Sequence, residues 1–216
     1  MFKKLLNRFR KPSEEEEERL EEEWYDQKSL AMEGLLGKEH DMVMHAIIPY
    51  DLDGALDLYY YPNGIPGTAI ATKELSHACR ESSKNDKFKS YELVMFTRHT
   101  LNMDQAQDVE TEFGSRHQNI NAILNPIARY SEQAKLNPNE TCEFPEDFEG
   151  IGGKCLMFAD YNPQTKSKEE FGLMAIIEVH RSEMEFAMEN GGAALIDLLK
   201  ESNYYPYTDM DRQAVA

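Results

Sequence analysis

His40 with His45, His77 with Cys79, and the stretch Gly150-Ile-Gly-Gly153 are the residues whose types and spacing could do chemistry in this chain. Two histidines invite a metal. On an extended segment, however, residues five apart fall on opposite faces, so His40 and His45 cannot chelate one ion without a bulge. Cys79 with His77 two residues before it has the composition of a thiolate beside a base, but that chemistry depends on placement in space, and the alternative is an ordinary cysteine. The glycine-rich stretch precedes a strand-like run, whereas phosphate cradles lie between a strand and a helix, so it reads as a turn. Acid pairs such as Asp51 with Asp53, or Glu183 with Glu185, resemble glycosidase carboxylates, yet among 40 acids such pairs arise by chance. The phosphate-loop, dinucleotide-fold, nucleophile-elbow and HExxH patterns are all missing from the sequence. The expectation is a protein that is not an enzyme, with no catalytic residue, no cofactor and no metal.

Composition narrows the partners. The 216 residues carry 23 Lys and Arg against 40 Asp and Glu, a net charge of −17, with a mean hydropathy of −0.65. That balance excludes a membrane-spanning protein and a conventional nucleic-acid binder. With 41% apolar residues and 10% aromatic residues, the sequence can bury a core. Cys79, Cys142 and Cys155 form no CxxC and suit a reducing compartment, so the expected location is cytoplasmic.

The charge is uneven. Residues 1–12 carry +5, residues 13–33 carry −8, and the rest carries −14. Phe2, Leu5, Leu6 and Phe9 recur at helical spacing among the cations without the apolar core of a signal peptide. The segment 1–12 is either an exposed arm pairing with the adjacent glutamates or an amphipathic helix touching an anionic membrane.

The elements that would position these residues follow from periodicity. Ser13 before Glu14 to Glu18 marks a helix start, with a modest stripe of Leu20, Trp24, Leu30 and Leu35 closed by Gly34 and Gly37. Residues 40–50 and 55–61 read as a β-hairpin across Asp51-Leu-Asp-Gly54, followed by strands at 68–72 and 91–97. Residues 104–135 are helical, with Val109 on the apolar side and Pro126 expected to kink or break the helix. Strands at 154–159 and 171–179 follow, joined by a polar connection containing Asn162-Pro163. The second is so apolar that it belongs at the sheet centre. Ser182-x-x-Glu185 has the form of a capping box, and Gly191-Gly192 can end the helix it opens. The expected fold is α+β, a mostly antiparallel sheet packed by helices, with an N-terminal acidic helix. The domain division falls between a basic arm plus acidic helix, 1–37, and a folded unit, 38–216.

Within that unit the run Gly67 to Ser76, then Tyr91-Glu-Leu-Val-Met-Phe96, resembles the suppressor-of-fused-like (SUFU) domain, in which a strand enters a Thr- and Ser-bearing turn and is followed by a Tyr-x-Glu-Leu-like strand. The strand Phe171 to Val179, the phrase Glu183-Met-Glu-Phe-Ala187 and the terminal Asp209-Met-Asp-Arg212 agree in order, so the resemblance covers roughly residues 35–213. Lys73-Glu74 stand where the family commonly has a small residue or glycine. The positions carried over are Thr72, Ser76, Tyr91, Glu92, Asp209 and Arg212, in a structural or a binding role. Thr72, Ser76 and Glu92 have a purely structural reading, in which they satisfy backbone groups around the turn.

The resemblance, taken in its bacterial form, implies a non-catalytic protein-binding domain, an immunity protein that neutralises a cognate toxin. The acid excess points to a basic protein partner, which long-range attraction would draw in. The alternatives are a hydrolase whose His77, Cys79 and His45 converge only in the fold, and a membrane-surface adaptor acting through residues 1–12.

Overall fold

A computed structural model describes residues 13–161 and 169–216; the basic arm and Asn162-Pro163 lie outside the described residues. Helix α1 spans Glu14–Leu36 and is followed by a 3-10 turn at Tyr50–Leu52. Strands β1 (Tyr59–Tyr61), β2 (Thr68–Ala71) and β3 (Phe88–Thr97) come next. Helix α2 (Glu112–Ser131), strands β4 (Thr141–Glu143), β5 (Cys155–Asp160) and β6 (Glu169–Val179), and helices α3 (Arg181–Asn190) and α4 (Gly192–Glu201) complete the order.

The six strands form one sheet in the order β1-β2-β3-β6-β5-β4. Every pairing is antiparallel except the central one, where β3 and β6 run parallel. The α+β expectation therefore holds, with one parallel joint at the middle. Strand β6 lies there because its near-continuous apolar run needs cover on both faces.

Two buried clusters sandwich the sheet. On one face Tyr91, Leu93, Phe158, Met174 and Ile176 pack with Ile120, Ile123, Leu124 and Ile127 of α2. On the other, Val94, Met157, Ala175 and Ile177 pack with Met32 and Leu36 of α1, Met184 of α3, and Leu195 and Leu199 of α4. Alternation along β3 thus sends Tyr91 towards α2 and Glu92 towards α1.

Four local expectations are corrected. The hairpin 40–61 is regular only at Tyr59–Tyr61; its first arm joins through an isolated bridge at Met44 and Leu58 and through the His40 N–H to the Tyr60 carbonyl, 2.8 Å. Helix α2 begins at Glu112, capped by Thr111, whose hydroxyl accepts from the Gly114 N–H at 3.1 Å, and Val109 lies exposed before it. Pro126 sits inside α2 without ending it. A helix-interior proline costs about 3 kcal/mol, and burial of the apolar residues on both sides outweighs that. Helix α3 starts two residues earlier than the Ser182 signature implies, with His180 as N-cap and Glu183 accepting the His180 N–H at 2.8 Å.

The α1 stripe is also differently phased. Lys28, Met32 and Leu36 are its buried residues, while Leu30 is exposed. The inward face runs 24-28-32-36 and carries a lysine at its middle. Gly37 ends the helix with φ +81, and a Cβ there would lie 2.6 Å from the Gly64 backbone nitrogen, so only glycine fits.

Candidate functional site

Lys28 and Glu92 meet beneath α1, with side chains 4% and 0% exposed. The Lys28 ammonium donates to Glu92 Oε1 at 3.2 Å, to the Ser76 carbonyl at 2.8 Å and to the Lys73 carbonyl, which uses all three of its donors. Glu92 Oε2 accepts the Thr72 hydroxyl at 2.6 Å, and the carboxylate also takes the N–H groups of Leu75 (3.2 Å) and Ser76 (2.9 Å). Thr72 Oγ1 accepts from the Leu93 N–H at 3.0 Å, and the Trp24 indole donates to Ser76 Oγ at 2.9 Å. One carboxylate from the sheet thus organises the turn 72–76, and one lysine from α1 clamps it.

Lys73 extends the network. Its ammonium donates to Ser29 Oγ at 2.9 Å, pairs with Glu39 at 2.5 Å and lies over the rings of Tyr25 (4.8 Å) and Tyr59 (4.7 Å). Neither Lys73 nor Glu74 has a positive φ, so the turn takes them without strain where the family commonly has smaller residues.

A second centre holds the C-terminal segment. Asp209 accepts the Thr97 hydroxyl and the Arg98 N–H, both at 2.7 Å. The Arg212 guanidinium forks onto Glu183 at 2.5 and 2.7 Å, and Glu183 also takes the N–H groups of His180 (2.8 Å) and Val215 (2.9 Å). Burial pushes the Glu183 carboxyl up, but these donors outweigh it and the net effect is a lowered pKa.

Of the positions singled out in the sequence, the fold gathers Thr72, Ser76 and Glu92 into one network and Asp209 and Arg212 into another region. Tyr91 faces the opposite layer, buried against the α2 core. Lys28, Lys73, Thr97 and Glu183 complete these networks; Lys28 and Thr97 were not singled out in the sequence, and Lys73 and Glu183 were noted there without this role. A lysine four residues after Trp24 and four before Met32, inside an inward face, was the readable signal for Lys28.

The residues with potential chemistry do not assemble into a nucleophile and base. His77 sits 3.2 Å from the Arg80 guanidinium and 4.0 Å from Glu21; burial, then Arg80 and Lys28, lower its pKa. Cys79 is exposed, and local desolvation with the carboxylates of Glu21, Glu17 and Glu16 raises its thiol, the opposite of an activated nucleophile. His45 pairs instead with Asp57 at 2.7 Å. Gly150 to Gly153 is a turn leading into β5, and among the described residues no three His, Cys, Asp or Glu gather as metal ligands. No helix among them is long and apolar enough to cross a membrane.

Glu74 is the half-buried carboxylate with a pH signature. It accepts the Asp57 N–H at 2.9 Å, yet burial, with the charges of Asp57, Glu92 and Asp51, pushes it up to about 7. The folded state therefore holds this proton more tightly than the unfolded chain. Stability present at pH 4 is lost as pH rises from about 4.5 to about 7. Glu74→Gln keeps a carbonyl for the Asp57 N–H and removes that loss. Urea denaturation should show the variant equal to the parent at pH 4 and more stable by about 1–2 kcal/mol at pH 8, after allowance for partial solvent screening.

These features define an α+β domain with a mixed sheet between two helical layers, its conspicuous charges locked into the framework. The family described as Suppressor of fused protein (SUFU) matches residues 55–213, and the chain belongs to that family. Among solved structures, that of the Sufu-Fu complex is similar with a TM-score of 0.59 and 18% identity, covering 91% of this chain and 92% of that one. The crystal structure of Drosophila Suppressor of Fused gives a TM-score of 0.57 and 19% identity, covering 89% of this chain and 50% of that one. The chain thus spans about half of the Drosophila protein. No curated protein matches it in sequence.

Proposed function

We propose that this chain is a non-catalytic protein-binding domain of the bacterial form of the family, acting in the cytoplasm as an immunity protein that neutralises a basic toxin by direct contact. The observation that carries the reading is the family match over residues 55–213. A similar domain is seen in complex with Fu, a protein. The two carboxylate centres support it further, because Glu92 and Glu183 spend their hydrogen-bonding capacity inside the fold. The net charge of −17 supplies the field that draws a basic partner.

Co-expression with each adjacent gene product tests this. The expected result is a complex with one basic product, protection of the host from it, and affinity that falls at least about tenfold between 50 and 500 mM salt. Failure of every adjacent product to bind or to be neutralised would end the immunity reading.

A further inference from the structure

The turn at residues 46–53 displays apolar side chains on a rigid mount. Ile47 is 101% exposed, Leu52 70% and Ile48 57%. Three large aliphatic side chains thus stand exposed within six residues, whereas singly scattered ones would need no explanation. The mount explains why they cannot fold back. Tyr50, between them, is buried, and the Arg129 guanidinium from α2 stacks 3.5 Å from its ring centre while donating to the Tyr50 carbonyl at 2.5 Å and the Gly54 carbonyl at 3.0 Å. The Leu56 N–H donates to Asn125 of α2 at 2.8 Å, and the Ala46 N–H to Asp57 at 2.9 Å. A Cβ on Gly54 would lie 1.8 Å from the Ile48 carbonyl oxygen, so the backbone closes on itself there. A surface held in this way loses little conformational freedom on binding.

Its charge selects among occupants. Residues 41–57 contain four aspartates and no Lys or Arg. Around the tip, Asp51, Asp53, Asp57 and Glu132 stand against Arg80, paired with Asp51 at 2.9 Å, and Arg129, 3.8 Å from Glu132, while His45 bonds Asp57 at 2.7 Å. Four carboxylates against two guanidinium groups, on a chain of net charge −17, repel an anionic lipid surface and a second copy of the same tip. They complement a surface rimmed by lysine and arginine.

We propose that the tip 46–53 is the docking element for a basic protein partner, with Ile47, Ile48 and Leu52 entering an apolar recess whose rim carries Lys and Arg. This rests on the binding reading above and adds the face to it. Affinity comes from the desolvated aliphatics, and the aspartates set orientation and encounter rate.

The test uses the full chain and the adjacent gene product that it captures on co-expression, with cytochrome c as a basic control protein. Ile47→Asp and Leu52→Asp, both at exposed positions, should leave the melting temperature unchanged and weaken the complex by about 30-fold or more. Met188→Asp, at an exposed position on α3, should weaken it less than threefold, and cytochrome c should bind no variant differently. A complex that forms but ignores the tip variants, or responds equally to Met188→Asp, overturns the assigned face and leaves the binding reading intact. No complex with any adjacent product overturns both. Sedimentation of the parent with phosphatidylglycerol vesicles, or self-association of the parent, either one abolished by Ile47→Asp, assigns the tip to a membrane or to a second copy and overturns the proposal.

Discussion

Glu92→Ala is expected to lower the free energy of unfolding by about 3–5 kcal/mol, the range for removing one partner of a buried ion pair. Three losses coincide. The Lys28 ammonium, 4% exposed, loses its counter-ion. The N–H groups of Leu75 and Ser76 and the Thr72 hydroxyl lose their acceptor. The truncation also leaves a cavity between α1 and β3, beside the turn 72–76. Since a domain of this kind has only about 5–15 kcal/mol in total, the variant should sit close to its unfolding threshold at 37 °C. Adding Lys28→Met should restore a large part of the loss, because the second substitution removes the stranded charge and extends the apolar row of α1. Urea denaturation of the parent, both single variants and the double variant gives the coupling directly. A single-variant loss below about 1 kcal/mol would mean that water reaches the site and that the clamp is not closed.

The centre at Glu92 also shows how much was legible beforehand. The resemblance pointed to Thr72, Ser76 and Glu92 because the family writes them as phrases of sequence, and local spacing places the first two in one turn. The lysine that completes the centre lies 64 residues from Glu92 along the chain, and no short-range pattern links them. Helix α1 was readable as a helix from Ser13 and its acidic first turn, yet its phase was misread, since a lysine counts as a polar-face residue until its partner is known. The centre of the sheet was similarly divided. The apolar run of β6 announces a buried strand, but its parallel pairing with β3 is a non-local choice made through α2, β4 and β5, and the sequence around either strand carries no mark of it. Short β4 lacked the length to show alternation, and Pro126 was weighed on propensity alone, without the apolar contacts that hold α2 together across it. Local chemistry was legible where neighbours in sequence are neighbours in space, and illegible where the decisive partner is remote.

Arg212→Ala carries the second large expectation, a loss of about 3–4 kcal/mol at pH 7 with a changed dependence on pH. In the parent, Glu183 is fully buried and its carboxyl is held below the usual range despite burial, by the Arg212 fork and the N–H groups of Val215 and His180. A lowered folded pKa gives stability that is complete above the unfolded value of about 4.3 and is lost as pH falls through the folded value. Without Arg212 burial is opposed only by the Val215 and His180 N–H groups, so the carboxyl rises and the stability gained above the unfolded value shrinks. The gap between parent and variant should therefore be widest at pH 7 and should narrow as pH falls below the unfolded value of about 4.3 and through the parent's folded one. Arg212→Lys keeps a charge but not the two parallel hydrogen bonds, and should fall between them. The position of the pair near the chain end gives a second readout. Glu183 ties α3 to residues 212 and 215, so the Val215 amide should exchange its hydrogen faster in Arg212→Ala while amides of β3 and β6 change only with global stability. A gap that stays constant between pH 3 and pH 7 would show that Arg212 acts through packing alone, over the Tyr204 ring 5.1 Å away, and not through the charge of Glu183.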